Sequence, residues 1–202
     1  YGRIKMIILT LILATVFGSV PYSEDCSEAG YNYANLVEIA STDCKYARSE
    51  NVDIELLWGL VEIEKKYNVP EEVRGMVLAA ACMESGYNPN ALGDKKFSKS
   101  GKHPMAVGIL QQWPVYEKMY GTDRRDPLAA ADSWLKHITK KLKKVERQCK
   151  YRTVRKKWIA AWVTGIRYPK KGGRCRERPK HLKLLNRWHR AAKKLCNETI
   201  GC

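Results

Sequence analysis

The chain has 202 residues, 45 % of them hydrophobic, and a formal net charge of +16. That length fits one domain plus a leader, and the hydrophobic content is ordinary and supplies a sizeable core. The charge is uneven: Lys136 to Lys194 holds 23 Lys or Arg against Glu146 and Glu177 alone, and the rest is close to neutral. Such a basic half suits a polyanionic partner (cell-wall polymer, anionic lipid or nucleic acid) or serves as a solvated face that keeps the protein soluble. No recognisable nucleic-acid-binding motif accompanies it, so no specific nucleic-acid partner is expected.

Residues 1–22 read as a secretory leader. Arg3 and Lys5 precede an apolar run from Met6 to Phe17, followed by Gly18 and Ser19. The run is short for a membrane span, so a secreted or periplasmic protein is expected. Residues 23–50 read as a polar extension tied down by a bridge, and residues 51–202 as the main domain. Seven cysteines after a leader imply an oxidising compartment and disulfides. The odd number leaves one thiol over, and Cys82, among alanines, is the expected free one. Proximity pairs Cys26 with Cys44, Cys149 with Cys175 and Cys196 with Cys202, although sequence leaves the connectivity open. A zinc site does not fit these spacings or the scattered histidines, and no metal or cofactor is expected.

The first clear helix runs over Val52 to Tyr67, with Ile54, Leu57, Trp58, Val61 and Ile63 as its apolar stripe. Asn68-Val69-Pro70 breaks it. The next helix opens at Pro70, Glu71 and Glu72, with acids near the positive end of its dipole. It ends in Ala79 to Pro89, with Val73, Met76, Val77 and Ala80 at helical spacing. Glu84 falls four residues after Ala80 and seven after Val77, which puts it on the apolar stripe. A carboxylate desolvated there has a raised pKa and can hold the proton that a general acid needs. The same pattern also admits Glu84 as a polar residue of a last turn facing solvent beside Gly86.

Asn90 to His103 is Gly-, Ser- and Lys-rich and reads as a loop or small hairpin. Met105 to Pro114 is a short apolar segment, either a buried strand or a short helix, and Val115 to Tyr120 adds a helical turn. Asp126-Pro127 starts a helix that runs to Val145, with Leu128, Ala131, Leu135, Ile138 and Leu142 inward and the lysines outward. Another helix covers Val154 to Val163 and stops at Thr164-Gly165. Tyr168 to Arg178 is a basic loop, and Pro179 to about Leu195 is the last helix, with Leu182, Leu185 and Trp188 inward.

Three blocks in this order resemble the lytic transglycosylase domain of the lysozyme superfamily, related to goose-type lysozyme. Glu84-Ser85-Gly86-Tyr87-Asn88-Pro89 is similar to that family's Glu-Ser-Gly-Phe-Asn-Pro. Ala106-Val107-Gly108-Ile109-Leu110-Gln111-Gln112-Trp113-Pro114 is similar to its Ala-x-Gly-Leu-Met-Gln-Leu-Met-Pro. Ala161-Trp162-Val163-Thr164-Gly165 stands at the place of its Ala-Tyr-Asn-Ala-Gly, with Trp162 for the tyrosine and Val163 for the asparagine. The resemblance spans roughly Val52 to Leu195. It implies a mainly α, lysozyme-like domain with a small β-hairpin or loop region beside the active-site cleft.

It also implies cleavage of the β-1,4 bond between N-acetylmuramic acid and N-acetylglucosamine in peptidoglycan glycan strands. Glu84 would be general acid and then base, forming a 1,6-anhydromuramyl end without a second carboxylate. Ser85 would orient the acid, and Gly108 would allow close backbone approach. Ile109 and Leu110 would keep the floor apolar, and Gln111 would offer an amide to the substrate. Tyr87, Trp113 and Trp162 are candidates for sugar stacking or for core packing. The alternatives are a hydrolytic muramidase, whose second carboxylate would come from Asp94, Asp123 or Asp126, and a catalytically weak cationic wall-binding protein. The basic C-terminal half would draw the protein, as a monomer, to anionic wall polymer.

Overall fold

The computed structural model describes Cys26 and residues 30–94, 105–149, 153–163 and 179–200. The leader, the loop before the last helix, Cys175 and Cys202 lie outside the described residues. What is described is mainly helical, as expected. The helices are α1 (Tyr33–Asp43), α2 (Ile54–Lys66), α3 (Met76–Ser85), α4 (Val115–Tyr120), α5 (Pro127–Cys149), α6 (Val154–Val163) and α7 (Pro179–Ile200). Between α3 and α4, strands β1 (Leu92–Gly93) and β2 (Ala106–Val107) pair antiparallel, Leu92 opposite Val107 and Gly93 opposite Ala106. None of these helices is long and apolar enough to cross a membrane.

Residues 23–50 do more than decorate the domain. Tyr33, Leu36, Val37, Ile39 and Ala40 of α1 are buried in the shared core. α1 lies against α7: the Trp188 indole N–H donates to Asp43 Oδ2 (3.0 Å), and Arg187 pairs with the same carboxylate (2.8 Å). α7 in turn is fastened to the turn after α2. Its buried His189 meets the Arg74 carbonyl through Nε2 (2.8 Å) and stacks on Tyr31, whose hydroxyl donates to the Glu71 carbonyl (2.6 Å). Burial holds the His189 pKa down to about 4, so the ring is neutral there at physiological pH.

The disulfides differ from pairing by proximity. Cys26 bonds Cys196 and Cys44 bonds Cys82, with Cα atoms 6.1 and 5.8 Å apart. Cys82 is therefore a bridge residue and not the spare thiol. Such bridges belong to proteins of oxidising compartments. Cys149 is also disulfide-bonded.

The second helix begins later than Pro70. Glu71–Val73 is a 3-10 turn, Gly75 takes a left-handed φ of 78°, and α3 starts at Met76. Met76 to Cys82 are buried all round. No side chain of its own caps this helix, and the missing acceptor comes from α2. Glu64, fully buried, accepts the N–H groups of Gly75 (2.8 Å) and Val77 (2.6 Å). Burial raises its pKa to about 7, against the pull of those two bonds.

On α5, Asp126 caps the first turn, accepting from Leu128 N (2.9 Å) and Ala129 N (3.0 Å). Ala131, Leu135 and Ile138 face the core, whereas Leu128 is 41 % exposed. One lysine breaks the outward rule. Lys141 is 3 % exposed, its Nζ has no hydrogen-bond partner among the described residues, and burial lowers its pKa to about 8.

Two stability predictions follow from these buried charges. The folded pKa of Glu64 lies above its usual 4.5, so the folded chain binds the proton more tightly. The corresponding stability is complete below pH 4.5 and is lost as pH rises through about 7, a change of about 3 kcal/mol. Denaturant midpoints of Glu64→Gln should lack this acid-side gain; an unchanged pH profile would contradict the assignment. Lys141→Met should raise the midpoint at neutral pH by about 1 kcal/mol or more, because an uncompensated charge is replaced by a side chain of similar shape.

Candidate active site

The last turn of α3 and the β2 turn are built against each other. α3 ends at Gly86 (φ 60°), whose N–H bonds to Ala81 and Cys82 carbonyls. Tyr87 N reaches the Ala81 carbonyl (3.4 Å), and Tyr87 itself is left-handed at φ 65°. Only glycine fits at position 86. An added Cβ would stand 1.9 Å from the Tyr46 carbonyl oxygen, because the chain after α1 runs directly over this helix end.

Met105 to Pro114 is neither a long strand nor a helix. Ala106–Val107 pairs with β1, and the chain then turns sharply through Gly108 to Gln111. Val107 and Gln112 exchange backbone bonds of 3.1 and 3.0 Å. Gly108 (φ 76°) presses on the next segment, and a Cβ there would lie 2.0 Å from the Arg124 carbonyl oxygen. Gln111 closes the turn in a left-handed conformation, φ 46°.

These two blocks meet in space. Ser85 Oγ donates to the Ile109 carbonyl (2.8 Å), and Gly108 N donates to the Ala91 carbonyl (3.0 Å). The Gln111 amide donates to the carbonyls of Ala91 (3.1 Å) and Gly108 (2.9 Å). Ser85 thus anchors the helix end to the turn. The Gln111 amide is committed to holding the turn, where the sequence suggested it would face substrate.

Glu84 is carried on this scaffold but is not on a buried stripe. It is exposed, so the premise that burial keeps a proton on it does not hold. The helix emerges from the core between Cys82, fully buried, and Glu84. Tyr87 is a correction of the opposite kind. It is fully buried, its hydroxyl donating to the Ala40 carbonyl (3.2 Å), and it is a core residue that a sugar does not reach. Leu110 and Ile109 are buried, as a floor requires. Trp113 is half-buried and its N–H donates to Asp94 (3.0 Å).

Trp162 is packed in the core, edge-on to Trp134 (5.8 Å) and to His181 (4.6 Å). The structure therefore brings the first two blocks together, while the described ring contacts of the third are with α5 and α7. The three aspartates all have structural work. Asp94 accepts from Trp113, Asp123 accepts from Arg125 N (2.9 Å), and Asp126 caps α5.

One concave feature was not legible in sequence. A cleft of about 1050 Å³ runs between α7 and the segments around Tyr31, Tyr46 and Met83, the residue before Glu84. Its signal in sequence is the spacing of Lys180, Lys183, Arg187, Arg190 and Lys193, which is one face of a helix. Among known proteins, no family model matches the chain, and neither a curated protein nor a solved structure is found to be similar to it.

The geometry sets the expected cost of loosening this scaffold. Ser85→Ala strands the Ile109 carbonyl of a fully buried residue and should lower stability by about 1 kcal/mol. Gly108→Ala must move the Arg124 backbone and adopt a strained φ, so a loss of about 3 kcal/mol or more is expected. Thermal denaturation of both variants checks the order; equal losses would mean that the turn is not tightly seated.

Proposed function

We propose that the protein is a peptidoglycan lytic transglycosylase with Glu84 as its general acid and base. The observation that carries the reading is the hydrogen bond that joins the two motif blocks, Ser85 to Ile109, supported by the bond from Gln111 to Ala91 just beyond the first block, beside the helix turn that presents Glu84. The mainly helical fold of the described residues, their small antiparallel pair and the disulfides support an envelope or secreted protein of this kind.

The chemistry asked of Glu84 is limited. It gives its proton to the glycosidic oxygen as the bond to the muramyl C1 breaks. The C6 hydroxyl of the same muramyl residue attacks C1, and its proton passes to the Glu84 carboxylate. No water is consumed, and the acid is regenerated. The attack is intramolecular, so fixed geometry supplies much of the acceleration. An exposed carboxyl suits this only if the glycan covers it, so that the bound strand supplies the water exclusion the free protein lacks. The rigid seat of Ser85 and Gly86 then matters more than burial, because it holds the acid against the strand.

A second reading, a cationic wall-binding protein of weak activity, is favoured by the core packing of Trp162 and by the basic cleft. Mass spectrometry of purified peptidoglycan separates the two. Anhydromuramyl ends are expected from the parent chain and are to be lost, by at least about a thousandfold, in Glu84→Gln. Reducing ends heavier by one water would make it a muramidase, and no products at all would leave the binding protein.

A further inference from the structure

The cleft along α7 is unusual in its electrostatics. Lys180, Lys183, Arg187, Arg190 and Lys193 of α7 line it, together with Lys45 and Arg155, and Glu72 is the only acid among the described lining residues. The spacing is one helical turn per charge, so the row extends over about 20 Å. Like charges so placed repel along the helix. Some of the cations are used internally: Arg187 pairs with Asp43, and Arg155 donates to Asn186. Lys180, Lys183, Arg190 and Lys193 are exposed and form no ion pair with any described residue. Among the described residues, Glu72 is the one acid that shares the cleft with them.

The walls are cross-linked. Cys44–Cys82 lies beside Lys45, Tyr46 and Met83, and Cys26–Cys196 lies within a turn of Lys193. The cleft is thus pre-formed, and its disulfides mark a compartment outside the reducing cytosol. Aromatic platforms are sparse. Tyr31 and His189 are buried, and Tyr46, 48 % exposed, is the one exposed ring among the described lining residues. A single-stranded nucleic acid would be expected to use successive stacking surfaces. Lysine ammonium groups in a row act as point charges and suit a chain that repeats one anionic group per unit.

We infer that this cleft is a docking groove for a linear phosphodiester polymer of the cell wall, which lies along α7 with Lys183 and Arg190 as central contacts. The inference rests on the wall reading above for the identity of the polymer alone; the groove and its charge do not depend on Glu84 chemistry. Docking here would bring the strand past Met83 to the side of α3 that carries Glu84, and so concentrate the protein on wall.

The test measures binding of purified poly(glycerol phosphate) to the full chain in the Glu84→Gln background, where no cleavage intervenes. Lys183→Glu with Arg190→Glu should weaken binding by about tenfold or more, and the affinity of the parent should fall steeply between about 50 mM and about 200 mM salt. Lys140→Glu with Lys143→Glu, on the exposed face of α5, removes the same charge away from the groove and should change binding by less than about twofold. Circular dichroism melting confirms that both pairs fold, and the single variants Lys183→Glu and Arg190→Glu serve if the cleft pair does not. Equal loss in the two pairs would reduce the effect to overall charge and overturn the groove. Tighter binding of single-stranded DNA of matched charge would overturn the choice of polymer. A parent chain that forms anhydro products from peptidoglycan but does not bind poly(glycerol phosphate) would sink the groove alone; a parent chain that binds it and forms no products would sink the enzyme reading alone.

Discussion

The buried carboxylate of Glu64 is the interaction on which the arrangement of this molecule depends. α3 passes through the middle of the core with Met76 to Cys82 buried on every side. A helix in that position has no polar face from which to draw its own cap, and its first N–H groups cannot reach water. Gly75 at its start brings no side chain. Glu64 projects from α2 and accepts two of the orphaned donors, adding a negative group at the positive end of the helix dipole. The desolvation of that carboxylate is offset in part by the two bonds, which is why its pKa rises only to about 7. Without it, a wholly apolar helix would begin with unsatisfied amides.

The other end of α3 is set by close backbone approach. The Tyr46 carbonyl leaves no room for a side chain on Gly86, the Cys44–Cys82 bridge ties the same two segments, and Tyr87 reaches back to Ala40 of α1. Ser85 completes the seat through Ile109. The consequence is a helix fixed at both ends, with only its last turn brought to the surface. Glu84 stands on that turn. On the reading proposed above, such a seat would favour Glu84 even though it is exposed, because a fixed geometry needs no reorganisation.

Much of this was legible in the sequence where a helix has one wet and one dry face. α7 follows its apolar spacing, α2 and α5 follow theirs except at the exposed Ile54 and Leu128, and the Asp126-Pro127 start of α5 is read from capping chemistry alone. α3 departs from its periodicity for a physical reason. Periodicity reports which side of a helix is buried, but a helix buried all round has no such side, so the offset of Glu84 from Ala80 carried no information about exposure. The buried acid was Glu64, at the i+3 and i+7 positions of the Val61 and Leu57 stripe, where the same spacing argument would have found it. Tyr87 shows that an aromatic inside a motif can serve the fold. The cysteines were paired by nearness in sequence, yet packing α1 and α3 against α7 brings Cys26 to Cys196 across 170 residues.

The charge of α7 can be concentrated because the rest of that helix is so firmly held. Leu185, Trp188, Ala192 and Cys196 are buried, His189 and Trp188 are hydrogen-bonded to other elements, and a disulfide closes the far end. Each repulsive pair at helical spacing costs only a few tenths of a kcal/mol, well below what a buried Trp or Leu contributes. Packing therefore decides that the helix forms, and the exposed face is released from any need to balance its charges. His189 keeps to the same logic, since burial leaves it neutral and adds no further cation beneath the row. The exposed face of α7 is thus a stripe of charge that the fold tolerates but does not need for its own stability.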